Sequence, residues 1–114
     1  MPEASPLIEH VIDLLADWGA VEARPRSRGW ALYHQGLVFA MLVQDTLYLK
    51  VDEVNREHFQ AAGGHPLHSA GGDGGVDTWS YYTWSYWTPP DSALDEAEEL
   101  AAWAQSGFEA AQRG

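Results

Sequence analysis

The chain has 114 residues, no cysteine and a formal net charge of -11. That length fits one domain over residues 1–114, able to bury a core without staples, and the lack of thiols excludes disulfides, thiolate chemistry and cysteine-ligated zinc. So acidic a chain is a poor sequence-independent binder of phosphate backbones. With no leader pattern at its start and no apolar run longer than Leu37 to Val43, it is expected to be cytoplasmic and to have no membrane partner.

Ser5-Pro6 is a helix start, a capping side chain before a residue suited to the first helical position. Leu7, Ile8, Val11, Ile12, Leu15 and Trp18 then recur at helical spacing, with Glu9, Asp13 and Asp17 on the other side, until Gly19 ends the helix. Ala20 to Arg28 reads as polar and irregular, because Pro25 cannot donate to a regular ladder. Three strands follow: Trp30 to His34, the doubly apolar Leu37 to Val43, and Leu47 to Val51, where apolar and polar residues alternate. Gln35-Gly36 and Gln44-Asp45 are the turns between them. An up-down-up meander puts Leu37 to Val43 in the centre, with both of its faces covered, one of them by a second subunit.

Asp52 is placed to cap a short helix, Glu53 to Ala62, which Gly63-Gly64 stops. His65 to Ser69 reads as a fourth strand. The loop Gly71-Gly72-Asp73-Gly74-Gly75 lacks the lysine and the strand-to-helix context of a phosphate-binding loop, and reads as a hairpin tip. Thr78 to Trp87 is an aromatic strand, with Trp79, Tyr81 and Trp87 on one face and Tyr82, Trp84 and Tyr86 on the other, ended by Pro89-Pro90. A last helix spans Asp91 to Gln112 with a break near Asp95, and Ala97, Leu100, Ala101, Ala104 and Phe108 form its apolar stripe. The order α-β(3)-α-β(2)-α, with helices on one side of a mostly antiparallel sheet, is a two-layer α+β domain.

Several segments resemble the N-terminal domain of the TfoX (Sxy) family of competence regulators. They are LIEHVIDLLADWG (Leu7 to Gly19), GWALYHQGLVFAML (Gly29 to Leu42), DTLYLKVDEVNREHFQAAG (Asp45 to Gly63) and TWSYWTPPDSALDEAEELAAWA (Thr83 to Ala104). LYLKVD, and SYW followed by proline, are the most specific of these. The resemblance implies a fold similar to secretion-chaperone-like domains and a bacterial cytoplasmic protein in a stand-alone, single-domain form. In place of the family's Arg-Met-Phe-Gly-Gly-like segment this chain has Arg26-Ser27-Arg28-Gly29.

Candidate chemistry is sparse. His65 and His68 are the only close histidine pair and read as surface residues, so no metal site is expected. Glu96, Glu98 and Glu99 read as a solvated helix face. Ser69, Ser80 and Ser85 lack a nucleophile elbow. No enzyme activity and no cofactor are expected. Arg24, Arg26 and Arg28 are candidates for an anion or partner contact, unless they pair with the protein's own acidic C-terminal helix. Trp79, Tyr82, Trp84, Tyr86 and Trp87 are the candidate interface, because rings on both faces of one strand exceed what a two-layer core hides. The expectation is a non-enzymatic regulatory or protein-interaction domain, a homodimer with an unidentified protein partner and without direct nucleic-acid binding. The alternative is a small-molecule or anion-binding domain, its pocket between the aromatic strand and the last helix.

Overall fold

The computed structural model describes residues 6–26, 29–67 and 86–114. Its elements are α1 (Pro6–Leu14), β1 (Glu22–Arg26), β2 (Gly29–His34), β3 (Leu37–Val43), β4 (Thr46–Lys50), α2 (Arg56–Ala61), β5 (Tyr86–Trp87), a 3-10 turn (Asp91–Asp95) and α3 (Ala97–Arg113). The strands form one antiparallel sheet in the order β1-β2-β3-β4-β5, so β3 is central as the meander requires. The fold is α+β.

The segment expected to be irregular instead contains β1. Pro25 lies opposite Trp30 in a five-residue ladder at the sheet's edge. An edge strand has one side with no neighbour, and a proline is tolerated where its missing N–H faces outward. Four strands therefore precede α2 rather than three. Of the expected fourth strand, His65 to Leu67 runs beside β5: Pro66 bridges Trp87, the Leu67 N–H donates to the Tyr86 carbonyl, and the Thr88 N–H donates to the His65 carbonyl. The glycine loop and Thr78 to Ser85 of the aromatic strand lie outside the described residues.

The two hairpin turns follow from local chemistry. Gln35 and Gly36 have φ of 52° and 81°, and Gln44 and Asp45 have φ of 52° and 60°. Positive φ at both central residues gives a turn whose twist matches that of the flanking strands, and the second turn achieves it without glycine. A bulge between Leu32 and Tyr33 shifts the β2–β3 register, so that Phe39 and Ala40, adjacent in sequence, both enter the same core.

That core lies between the sheet and the helices. Ile8, Val11 and Leu15 from α1 and the turn after it, Phe59 from α2, and Leu100, Ala104 and Phe108 from α3 meet Leu32, Phe39, Leu42, Leu47, Leu49 and Trp87 from the sheet. Removing a ring such as that of Phe39 costs about 3–5 kcal/mol. The helix after Pro89-Pro90 is broken near Asp95 as expected: Glu96 is extended (φ -140°, ψ 115°), and its carboxylate accepts N–H bonds from Glu98 and Glu99 to cap α3. Within α3, Ala97 is exposed rather than part of the apolar stripe, while Gly107 is buried where a Cβ would press on the Phe39 carbonyl and the Lys50 N–H. Glycine here lets the helix approach the sheet backbone closely.

Candidate functional site

Among the described residues, the second face of the sheet carries no helix. Alternation along each strand assigns its residues: Leu47 and Leu49 point to the helices, so Tyr48 and Lys50 point away. Leu42 points inward, and Met41 and Val43 outward. Val43, Leu67 and Tyr86, with half-buried Met41 and Tyr48, form a separate apolar cluster on this outer face. Burial in that cluster pushes the Tyr48 phenol above its ordinary pKa, because the charged form loses hydration; a hydrogen bond with Thr46 partly opposes this.

At the β1–β2 end the same face is basic and aromatic. Arg24 and Arg26 are two residues apart on β1, so they share a face, and Tyr33 of β2 lies beside them. The Arg24 guanidinium is 4.8 Å and the Arg26 guanidinium 5.7 Å from the Tyr33 ring centre. Arg26 also donates to the Tyr33 hydroxyl. Arg24 donates from Nε to Glu22 Oε2 at 2.9 Å, and that hydrogen bond and charge raise its pKa further. Lys50 Nζ lies 5.3 Å from the centre of the Tyr86 ring. The anticipated pairing of these arginines with the acidic C-terminal helix is not what forms; Arg24 and Arg26 engage their own strand and its neighbour. Arg28 lies outside the described residues.

Of the aromatic candidates, Trp79, Tyr82 and Trp84 also lie outside them. Tyr86 and Trp87 are 2% and 5% exposed. Adjacent on one strand, they point to opposite faces, Tyr86 into the outer cluster and Trp87 into the main core. Trp87 shares that core with Leu100, Ala104 and Phe108 of α3, so packed side chains occupy ground where a pocket between strand and helix was anticipated. The Trp87 indole N–H is buried without an acceptor among the described residues.

Several other titratable groups have local partners. His34 donates from Nδ1 to the Ala20 carbonyl at 2.8 Å, and its ring packs against Trp18 and Phe108. His10 bonds the Leu94 carbonyl from Nε2 at 2.6 Å. His65 is exposed beside Thr88, and His68 lies outside the described residues. Glu96 works as a helix cap, and Glu99 accepts from Ser92 at 2.8 Å. Among the described residues no three metal-ligating side chains converge, and no helix is long and apolar enough to cross a membrane.

The sequence singled out Arg24 and Arg26, and with the doubly apolar strand Leu37 to Val43 it also singled out Met41 and Val43, but it missed Tyr33 and Tyr48. The alternation of β4 contained the signal for Tyr48. Tyr33 needed the β1–β2 register, which depends on a strand that Pro25 concealed.

No curated protein matches the chain closely enough to serve as a named relative. The TfoX N-terminal domain, however, matches it from residue 13 to residue 111, across both the helix layer and the sheet. The chain thus belongs to the TfoX N-terminal domain family.

Proposed function

We propose that this domain is a non-enzymatic regulatory module that acts through protein–protein contacts and assembles as a homodimer. The observation that supports the reading is the outer face of the sheet. A two-layer domain covers one sheet face with helices. Here the other face has an apolar cluster of its own, in which Met41 and Tyr48 are only half-buried, next to cations seated on tyrosine rings. Tyrosine, methionine and arginine are residues enriched at the cores of interfaces. The expected interface aromatics Trp79, Tyr82 and Trp84 precede Tyr86 in the chain, and the proposal extends to them.

The test is solution mass by light scattering over a range of protein concentrations, for wild type and Met41→Glu. The expected result is a wild-type dimer and a variant monomer, each with a cooperative thermal melt. A carboxylate at half-buried Met41 costs more once a partner removes its remaining water. A wild-type monomer throughout the range would sink the homodimer.

A further inference from the structure

The two layers of this molecule differ in charge. The helix side presents exposed carboxylates, among them Glu9 and Asp13 on α1, Glu57 on α2, and Asp91, Glu98 and Glu109 near or on α3. Of the five described lysines and arginines, three (Arg24, Arg26 and Lys50) lie on the outer sheet face. Of the other two, Arg113 is bound to Asp52 and Arg56 is half-buried in α2. In a chain of net charge -11, the described cations are thus gathered on the face that no helix covers among the described residues, with Glu22 as the carboxylate beside Arg24. We infer that the β1–β2 end of this face docks an extended, acidic polypeptide segment of a partner protein, with Arg24 and Arg26 over Tyr33 as its carboxylate contacts. The inference rests on the reading of this face as the contact surface.

Three features favour that occupant. Arg24 and Arg26 alternate along a strand, about 7 Å apart, the same-face repeat of an extended chain. Acidic residues at alternate positions of a partner segment therefore meet Arg26 directly, and Arg24 in exchange for Glu22, which it holds at 2.9 Å. Both guanidiniums are held against the Tyr33 ring, so less side-chain freedom is lost on binding than for unsupported arginines. Pro25 withholds one N–H from the β1 edge, so the contact runs through side chains across the face and not through an added strand. Nucleic acid fits less well: tight binding needs many phosphate contacts, and the helix side of the molecule is acidic.

The test is an amide NMR titration of the full chain with a synthetic peptide of alternating glutamate and threonine, at low salt. The expected result is shifts confined to residues 22–26 and 29–34. Binding is expected to weaken about tenfold in Arg24→Gln/Arg26→Gln, the combined effect of two exposed ion pairs, and to weaken with added sodium chloride. Three outcomes with added peptide or oligothymidylate overturn the inference: no shift at low salt, equal binding by the double variant, or tighter binding of oligothymidylate than of the peptide. Shifts at residues 91–99 that grow with protein concentration, without peptide, would assign the site to the acidic segment of a second copy and overturn it as well. If the peptide fails while Met41→Glu still converts dimer to monomer, the face remains the contact surface and only the partner class is wrong. If both fail, the face itself is wrong.

Discussion

At the residue scale, Asn55 joins three elements. It is 6% exposed, and its side chain is saturated. The amide donates from Nδ2 to the Lys50 carbonyl at 3.3 Å and to the carbonyl and hydroxyl of Ser106 at 3.2 and 3.1 Å, while Oδ1 accepts the Asp52 N–H at 2.8 Å. It thus ties the end of β4 to the start of α2 and the middle of α3. Asn55→Ala leaves the Lys50 and Ser106 carbonyls short of a donor, and the expected loss is about 2–3 kcal/mol in urea unfolding. Asn55→Asp keeps the shape but turns an oxygen toward those carbonyls, so it should destabilise at least as much. An Asp variant as stable as wild type would show that these hydrogen bonds contribute nothing. Nothing in the sequence marked Asn55, because its neighbour Asp52 looks like the better helix cap. Both contribute: Asp52 Oδ1 accepts from the N–H groups of Val54 and Asn55, and α2 begins only at Arg56.

At the element scale, what was legible was periodic. The alternation of β4, the doubly apolar β3 and the break before α3 all come from side-chain pattern and from residues that permit only certain backbones. What was hidden depended on neighbours. β1 pairs in spite of Pro25 because the ladder to β2 uses only one of its edges. The β2–β3 bulge is set by registry between strands and leaves no mark in either strand alone. The covered state of Tyr86 and Trp87 depends on what lies above and below the sheet. Gly29 joins the two kinds of information: it follows the arginine cluster, as a resemblance to a known family suggested, and it starts β2. Its φ is 157°, and a Cβ there would run into the Leu42 carbonyl oxygen of β3. Gly29→Ala should therefore cost about 3 kcal/mol or more through displaced backbone. Gly36→Ala, in open space with φ of 81°, should cost only the strain of its conformation, about 1 kcal/mol. Equal losses in the two variants would contradict the close approach of β2 to β3.

At the scale of the whole molecule, one bond between distant parts of the chain responds to acid. Arg113, at the end of α3, donates from Nε to Asp52 Oδ2 at 2.6 Å and from a terminal nitrogen to Oδ1 at 2.8 Å. That pair fastens the C-terminal helix to the β4–α2 corner, where Gly107 already brings helix and sheet together. The Arg113 hydrogen bond, helped by the backbone N–H groups of Val54 and Asn55 against a desolvation cost, lowers the Asp52 pKa from 3.8 to about 2. A carboxyl whose pKa falls on folding stabilises the folded state above its unfolded pKa, and the contribution is lost as pH falls through the folded value. Asp52 therefore contributes fully above about pH 4 and progressively less toward pH 2. The pair is partly open to solvent, so screening limits it to about 1 kcal/mol. Asp52→Asn should be less stable than wild type by that amount in urea at pH 7 and at pH 5, and the gap should narrow at pH 3. A gap between wild type and Asp52→Asn that stays constant from pH 7 to pH 2 would show that the Arg113 bond does not set the acid limit.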